Sequence, residues 1–324
     1  MDGGGSKTHA MVLDEAGRAL GFGQAGIGNH QVNGLQAGVR QIEQAARMAL
    51  EQAGLAPGEA ALGCFCLAGA DLPEDYARLQ PSLEALGLTR SVLIKNDTLA
   101  ALRSGLTRPW GVVVICGSGF NAAGRGRDGR EVVLPGLGSI SGDWGGGSDL
   151  AREVIRLVMR AWDGRGRPTL LTELVLDALQ APSPAALMLH LYRHQIDARQ
   201  LLDLVPLLFA AAEAEDRVAQ DLVIRLGTEV GVTALSLLRR LELEAEPVEV
   251  VLAGSVFNGQ GRLLLDTVAG HVKAAAPLAQ IVRPHYEPVV GAALLALEAL
   301  GVALTAGHDL QLAATLPERL VIAA

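Results

Sequence analysis

Lysine is scarce in this sequence: only Lys7, Lys95 and Lys273 occur, although Lys and Arg together number 27. Acidic residues number 35, so the formal net charge at pH 7 is -8. A chain with this acidic excess binds the phosphates of nucleic acid, or an anionic membrane surface, poorly. We therefore expect neither nucleic acid nor a membrane as a partner.

Cysteine is equally scarce, with Cys64, Cys66 and Cys116 alone and no C-x-x-C spacing. Three cysteines do not make a paired disulfide framework, and they suit the reduced thiols of a cytosolic protein. No charged-then-apolar signal segment opens the sequence, and its longest apolar run, 289–307, is interrupted by Glu298. We therefore expect a cytoplasmic protein.

Aromatic residues make up only 3% of the chain, so its core must be built from Leu, Val and Ala. Hydrophobic residues account for 50% and charged residues for 19% of 324 residues. That composition excludes a disordered chain, and the length allows two domains or one large one.

A glycine-rich stretch, Asp-Gly-Gly-Gly-Ser-Lys-Thr, occupies positions 2–8. Glycines let the backbone approach a ligand closely, and N–H groups gathered in a tight turn suit phosphate oxygens. Asp2 places a carboxylate where a hydrated Mg²⁺ ion could be held, and Ser6 and Thr8 add hydroxyls. Since chain ends are often poorly ordered, a flexible tail is the alternative interpretation.

Apolar patterning along the chain predicts strands alternating with helices, which is typical of an α/β domain. The predicted strands are 9–13, 19–23, 62–68, 92–95, 111–116, 248–252 and 280–282. The predicted helices include 35–53, 75–86, 150–162, 217–241, 262–275 and 289–300, with almost pure helix from 169 to 241. The last twenty residues give no clear signal.

Asn96-Asp97-Thr98 follows one predicted strand and precedes a helix beginning near Leu99. Asp97 has two interpretations that the sequence leaves open. It could be the N-cap of that helix, which is the commonest role of Asp there. It could also be a catalytic base, because ligands in α/β sheets gather beyond the carboxyl ends of the strands.

A second glycine-serine loop, Gly117-Ser118-Gly119-Phe120-Asn121, follows the predicted strand 111–116. Ser6 is followed eleven positions later by Gly17-Arg18, and Ser118 eleven positions later by Gly129-Arg130. Two loops of one design indicate a duplicated domain that holds one phosphate chain from two sides. Chance similarity of short glycine-rich hairpins is the alternative.

Together these loops resemble the sugar kinase, heat-shock protein and actin superfamily, and more closely the BadF/BadG/BcrA/BcrD ATPase family with its N-acetylglucosamine kinase members. The resemblance is carried by 2–8, 116–121, Gly28-Asn29-His30, Asn96-Asp97-Thr98, Gly142-Asp143 and 252–256, which occur in the family's order. It implies an α/β fold of duplicated ribonuclease H-like (actin-like ATPase) domains with a cleft between two lobes and a helical insertion in the second. The expected lobes are 1–105, which the C-terminal helix could complete, and 106–304, with the helical segment at 150–241 and an unassigned tail at 305–324.

The resemblance implies transfer of the γ-phosphate of ATP to the 6-hydroxyl of an amino sugar, N-acetylglucosamine or glucosamine. Asp97 would accept the proton of the attacking hydroxyl, and Asp2 would hold Mg²⁺. The implied ATP-binding residues are Gly4, Gly5, Ser6, Lys7, Thr8, Gly117, Ser118, Gly119, Asn121, Gly254 and Ser255. The implied sugar-binding residues are Asn29, His30, Asn96, Asp97, Gly136, Leu137, Gly138 and Asp143. Asp143 could instead serve the turn of its glycine-rich loop.

The sequence departs from the family's pattern at its start, where few residues precede Asp2 and the first strand is nearly missing. Two alternative functions stay open. One is an ATPase activator of the 2-hydroxyacyl-CoA dehydratase type, which needs cysteines for an iron–sulfur cluster. The other is a sugar or nucleotide sensor without catalysis. Related kinases are often dimers, so a homodimer is one expectation.

Overall fold

The computed structural model describes residues 1–259 and 261–322. By internal contacts the chain divides into two compact units. Unit 1 comprises Met1–Val113, Ala123–Pro135 and Val282–Ala324, and unit 2 comprises Val114–Ala122 and Gly136–Ile281. The sequence predicted lobes at 1–105, which the C-terminal helix could complete, and at 106–304. In these units, the segments Ala123–Pro135 and Val282–Ala324 both belong with the N-terminal part of the chain.

The first sheet has five strands in the order β3-β2-β1-β4-β5. These strands are β1 (Asp2–Gly3), β2 (Thr8–Leu13), β3 (Ala19–Ala25), β4 (Ala60–Leu67) and β5 (Thr89–Asn96). β1 pairs antiparallel with β2 and parallel with β4, and β4 pairs parallel with β5. The carboxyl ends of β1, β4 and β5 therefore lie at one edge of the sheet.

Four helices belong to this part of the chain: α1 (His30–Asn33), α2 (Leu35–Gln52), α3 (Pro73–Glu84) and α4 (Asp97–Gly105). α2 packs closely on β3, because Gly21 and Gly23 have no side chain to separate them. A Cβ atom at Gly23 would lie 2.0 Å from the carbonyl oxygen of Ala45. This contact places the apolar face of α2, including Ile42, in the core of the sheet.

The second sheet has the strand order β8-β7-β6-β9-β10, which matches the first sheet position by position. Its strands are β6 (Gly111–Cys116), β7 (Phe120–Arg125), β8 (Glu131–Val133), β9 (Glu249–Ala253) and β10 (Gln280–Val282). The same order in both sheets confirms the duplication that the two glycine-serine loops predict.

Six helices lie between β8 and β9 in the chain, and all of them belong to unit 2. They are α5 (Gly147–Trp162), α6 (Leu171–Ala178), α7 (Pro184–Tyr192), α8 (Ala198–Leu202), α9 (Val205–Glu213) and α10 (Arg217–Arg240). α10 packs on the next helix, α11 (Leu263–Ala275), through Gly227 and Gly231, where Cβ atoms would lie 2.6 Å from Thr267 Cβ and 2.5 Å from His271 Cβ.

The last helices of the chain, α12 (Pro288–Ala299) and α13 (Ala306–Thr315), belong to unit 1. α12 packs against α4 and the first sheet, and its Val289 and Val290 share a buried cluster with Phe22 of β3. α13 adds Leu312 to that cluster, so residues that gave no clear pattern in the sequence form a helix by packing. The final two residues of the predicted tail lie outside the described part of the chain.

Candidate functional site

Three carboxylates lie in or after the parallel strands of the first sheet. Asp2 lies in β1, Asp97 comes directly after β5, and Asp71 lies four residues beyond the end of β4. All three are partly exposed. Only Asp71 was missed by the sequence reasoning, although its place after a buried strand is the signal that singled out Asp97.

The backbone of the first glycine loop is braced by hydrogen bonds on both sides. The N–H of Gly4 donates to the carbonyl of Lys7 at 3.0 Å, which closes the turn. The carbonyl of Gly4 accepts from the N–H groups of Gly28 and Asn29, each at 3.2 Å. Gly5 and Ser6 are exposed at the tip. The stretch is therefore an ordered loop and not a flexible tail.

Lys7 and Thr8, both predicted to bind ATP, have partners within unit 1. Lys7 Nζ donates to Glu287 Oε2 at 3.0 Å on the surface. Thr8 is buried, and its hydroxyl donates to the carbonyl of Gly26 at 2.8 Å. The Thr8 hydroxyl thus links the start of β2 to the residue after β3. In the glycine loop itself, the hydroxyl that remains exposed is that of Ser6.

Asn29 and His30, two predicted sugar ligands, begin α1 in different environments. The Asn29 side chain is partly exposed and caps the helix, accepting from the N–H of Gln31 at 2.8 Å. His30 is buried, and its Nε2 lies 3.3 Å from Asp75 Oδ1. His30 therefore contacts α3 through Asp75, a role that the sequence did not indicate.

Asn96 is the N-cap of α4, and Asp97 is the first residue of that helix. The Asn96 side-chain oxygen accepts from the N–H of Thr98 at 3.0 Å, so the interpretation of Asp97 as the cap is wrong. Asn96 Nδ2 donates to Asp71 Oδ1 at 2.8 Å and to the carbonyl of Ala70 at 3.2 Å. Buried and fully engaged, Asn96 joins the loop after β4 to the end of β5. Asp97 is not the N-cap residue, although its carboxylate accepts hydrogen bonds from the backbone of Thr98 and of Asp97 itself.

Two of these carboxylates, Asp2 and Asp97, have pKa values well above those of ordinary aspartates. Burial, and next the nearby charge of Asp71, raises the pKa of Asp97 to about 6. Burial, and next the charge of Asp97, raises the pKa of Asp2 to about 7. Burial and the neighbouring negative charge both disfavour the ionised form of each carboxyl group. Near neutral pH these groups therefore exchange protons and attract cations more readily than surface aspartates do.

The second glycine loop belongs to unit 2 and is tied to the start of α5. The N–H of Gly147 donates to the carbonyl of Gly117 at 2.8 Å, and that of Ser148 donates to the carbonyl of Ser118 at 3.0 Å. Ser118 and Gly119 are exposed, and Cβ atoms at Gly117 and Gly119 would meet nothing within 4 Å. Space beside both glycines leaves room for a ligand at this loop.

Gly254, a predicted adenosine contact, lies directly against the second loop. Its φ is +101°, and a Cβ atom there would be 2.3 Å from the carbonyl oxygen of Cys116. Only glycine fits this position, where the chain leaves β9. Exposed Ser255 follows, and Gly254 lies against Cys116 and Gly117 of the second loop.

The segment from Gly136 to Asp143 forms a compact loop in unit 2. The N–H of Asp143 donates to the carbonyl of Gly138 at 3.0 Å, and the Ser141 hydroxyl donates to Asp143 Oδ2 at 2.5 Å. A Cβ atom at Gly136 would lie 2.4 Å from Asn121 Nδ2, so Asn121 packs against this loop. One carboxylate oxygen of Asp143 therefore accepts a hydrogen bond that stabilises its own loop.

No group of three or more His, Cys, Asp or Glu side chains suited to a metal occurs within residues 1–259 and 261–322. Over the same residues, none of the helices combines the length and apolarity that crossing a bilayer requires.

The sequence model of the BadF/BadG/BcrA/BcrD ATPase family matches residues 1–296. The chain belongs to this family. Its relatives include an N-acetylmuramic acid/N-acetylglucosamine kinase of Clostridium acetobutylicum, 26% identical over 91% of this chain and 96% of the relative. They also include an N-acetyl-D-glucosamine kinase of Dictyostelium discoideum, 28% identical over 92% of this chain and 96% of the relative.

A solved structure of a candidate N-acetylglucosamine kinase from Chromobacterium violaceum superimposes with a TM-score of 0.67 at 25% identity. The match covers 91% of this chain and 96% of that one. The family, the fold of duplicated α/β lobes and the resemblance to N-acetylglucosamine kinases are thereby confirmed.

Proposed function

We propose that this member of the BadF/BadG/BcrA/BcrD ATPase family is an ATP-dependent kinase that phosphorylates the 6-hydroxyl of an amino sugar, N-acetylglucosamine or glucosamine. Relatives over more than nine-tenths of the chain are kinases of N-acetylglucosamine, which supports this substrate class. The proposed role is that of a phosphotransferase with an alcohol group as acceptor.

The observation that carries the proposal is Asp97, which follows β5 at the carboxyl edge of the first sheet next to the N-cap Asn96 and has its pKa raised to about 6. A general base works best when its pKa lies near the operating pH, and a carboxylate suits a sugar hydroxyl. A sensor or a scaffold needs no such group.

In the proposed reaction, the sugar oxygen forms a bond to the γ-phosphorus as the bond from that phosphorus to the bridging oxygen breaks. Asp97 accepts the hydroxyl proton, and ADP leaves with the bridging oxygen. Such transfers depend on positioning and charge stabilisation. The exposed N–H and hydroxyl groups at Gly5, Ser6, Ser118 and Gly119 are of the type that holds phosphate oxygens.

Asp2 is the residue that would hold Mg²⁺. Magnesium is commonly bound through one or two carboxylates together with phosphate oxygens and water, so a single protein ligand fits it. The crowding that raises the pKa of Asp2 to about 7 also favours a divalent cation there, because the cation relieves the repulsion between Asp2 and Asp97. When bound, Mg²⁺ would neutralise phosphate charge during transfer.

For the sugar, unit 1 offers the partly exposed side chain of Asn29. The other residues that the resemblance assigns to the sugar, Asp143 and the backbone of Gly136, Leu137 and Gly138, belong to unit 2. His30 and Asn96 act differently in our proposal, since both are buried and bonded to neighbouring elements. They would position Asn29 and Asp97 without touching the sugar.

The homodimer and the cytoplasmic location stay predictions.

The three cysteines offer little to the alternative activator function. All three are buried. Cys64 and Cys66 alternate on β4 with their sulfur atoms 3.7 Å apart. Their mutual hydrogen bond, and next burial, raises the pKa of the Cys66 thiol, whereas the same bond lowers the pKa of Cys64. Burial raises the pKa of the Cys116 thiol. Iron–sulfur clusters need thiolates, which burial disfavours at Cys66 and Cys116.

The proposal is tested with an ATP-coupled assay on N-acetylglucosamine, glucosamine, glucose and N-acetylmannosamine, followed by NMR of the product. We expect turnover to be highest with N-acetylglucosamine or glucosamine and the phosphate to be on oxygen 6. ADP release that is independent of every sugar would instead support an ATPase function. Phosphate on oxygen 1 would overturn the proposed acceptor.

A further inference from the structure

A cavity of about 790 Å³ opens in unit 1 and belongs to that unit alone. Its walls come from the C-terminal end of α4 with the segment after it, from Arg125 at the end of β7, and from parts of the stretch 285–309. Arg103 of α4 also lines it, so we call this cavity the arginine pocket. None of the described residues that line it belongs to the candidate site above. Arg103 follows Asp97 by about 9 Å along the axis of α4.

Two arginines share one carboxylate in the arginine pocket. Arg103 Nε donates to Glu298 Oε1 at 2.8 Å, and Arg125 Nη1 donates to Glu298 Oε2 at 2.6 Å. Arg103 Nη1 also donates to the carbonyl of Leu106 at 2.9 Å. The side chains of Arg103 and Glu298 are only 10% and 15% exposed. Glu298 therefore spends one oxygen on each guanidinium in a place that water reaches poorly.

This arrangement leaves one positive charge without a partner charge. A guanidinium keeps its proton at any physiological pH, and a charge removed from water without a counter-ion is unfavourable. Among the described lining residues, Asp309 is the one other carboxylate. It is exposed and lies near Tyr286, so water screens its charge. The buried part of the pocket therefore favours an anion.

Arg125 has N–H groups left for such an anion. Its side chain is 25% exposed, and its Nε and Nη2 donate to no group within residues 1–259 and 261–322. A guanidinium can hold two oxygens of a carboxylate or phosphate with parallel N–H groups. Thr305 and Ala306, the N-cap and first residue of α13, line the same pocket. The positive end of that helix adds to the preference for an anion.

The remaining wall of the arginine pocket is apolar. It is formed by Leu106, Pro109, Leu294, Val302 and Leu304. Apolar walls with a few placed polar groups are typical of sites for small organic molecules, and a bare inorganic ion would leave these side chains uncovered. The pocket therefore suits an anion that carries a carbon skeleton.

We propose that the arginine pocket binds a small organic anion, with its carboxylate or phosphate group on Arg125 and its carbon skeleton against Leu106 and Leu304. Both groups offer a guanidinium the same chemistry, two oxygens for two N–H groups. The bound anion offsets the charge that Glu298 leaves uncompensated. It also contacts the C-terminal end of α4, the helix that begins with Asp97, at a site distinct from the proposed kinase site.

The test is calorimetry on the full-length protein without ATP or sugar. Benzoate and phenyl phosphate carry one carbon skeleton with a carboxylate or a phosphate, and benzyl alcohol is the neutral control. We expect at least one of the two anions to bind with 1:1 stoichiometry and a Kd below about 1 mM, and benzyl alcohol to bind at least about tenfold more weakly. The stronger anion shows which of the two groups the pocket prefers.

Two variants assign that binding to the arginine pocket. Arg125→Gln removes the proposed ligand group and leaves Arg103 on Glu298, whereas Ala303→Trp fills the pocket from an exposed position and changes no charge. Each should raise the Kd of the anion at least about tenfold. Arg47→Gln, at an arginine paired with a glutamate on α2, is the control and should keep the wild-type Kd.

Three results would overturn the proposal: no binding of either anion, an unchanged Kd in Ala303→Trp, or an equal loss in Arg47→Gln. Phenyl phosphate binding that Ser118→Ala weakens and Ala303→Trp does not would assign the anion to the second glycine loop instead. Thermal unfolding of each variant shows whether it is folded, and Ala303→Trp decides the question if Arg125→Gln is not. Binding is measured without turnover, so this proposal and the proposed function can fail separately.

Discussion

The two copies of the fold share one strand order but carry different groups at equivalent strand ends. In the first sheet, β1 begins with Asp2, β4 is followed by Asp71 after a short loop, and β5 leads into Asp97. In the second sheet, matching Ser6 with Ser118 places Val114 of β6 at the position of Asp2, while β9 leads into Gly254 and Ser255 and β10 into Arg283. Duplication therefore supplied two glycine loops of similar backbone, while the carboxylates that suit proton transfer and Mg²⁺ are confined to the first copy.

The two glycine loops also pack against different elements. In the first copy the loop is braced by Gly28 and Asn29, which belong to the polar entrance of α1. In the second copy the loop is braced by Gly147 and Ser148 at the start of α5, and a helix N-terminus favours an anionic ligand. We infer that the first copy performs the chemistry and that the second mainly holds phosphate.

The largest expected effect is that of Asp97→Asn, which removes the base from the first copy and keeps its shape. We expect kcat to fall by roughly 10³-fold, within the usual range for loss of a general base, while sugar binding persists. Coupled kinetics and calorimetry measure the two quantities. Asp266→Asn, which changes an exposed aspartate on α11, serves as the control and should leave kcat unchanged. A comparable loss of kcat in both variants would contradict the assignment.

The pH dependence of the wild-type protein should show the raised pKa of Asp97. The carboxylate must be ionised to accept a proton, so kcat/KM should decline about tenfold per pH unit below the pKa of about 6 and level off above it. Asp71→Asn keeps an acceptor for Asn96 but removes a charge that raises this pKa, so the acid limb should move to lower pH. If the acid limb of the kcat/KM profile lies at the same pH in Asp71→Asn as in the wild-type protein, Asp97 is not the titrating base.

A smaller effect is expected from the two loop serines, and it tests the comparison directly. If Ser6 and Ser118 each hold a phosphate oxygen, Ser6→Ala and Ser118→Ala should each raise the KM for ATP about tenfold, as expected for a hydrogen bond to a charged group. The double variant should show the product of the two effects. Ser91→Ala, at an exposed position on β5, is the control. An effect from Ser118 alone would assign phosphate binding to the second copy only.

Much of the fold could be predicted because its signals are local. The strand at Gly111–Cys116 and the helix beginning at Leu35 follow from apolar periodicity and a glycine stop, and the structure confirms them. α13 could not be predicted, because its single buried residue, Leu312, finds its partners on β3 and α12, far away in the sequence.

The candidate site was predictable as a set of loops but not residue by residue. Asp2 is visible in the sequence through the glycine-rich stretch that follows it, and Asp97 through its place directly after a predicted strand. The sequence does not show which of Asn96 and Asp97 is the N-cap of α4, because Asn and Asp have similar preferences for that position. The hydrogen bond from Asn96 to Asp71, which is distant in sequence, favours Asn96 as the cap. The contact of His30 with Asp75 is not visible in the sequence either, because the two residues are 45 positions apart. His30 was therefore predicted to bind the sugar.

By itself, the sequence determined the class of fold, the duplication and the family, because glycine loops, apolar periods and motif order are properties of short stretches of chain. Only the tertiary structure decided which polar side chains support the fold and which are left for a ligand. That choice depends on burial and on partners distant in sequence: Thr8, His30 and Asn96 were drawn into the fold, and Asp2, Ser6 and Asp97 remained at its edge.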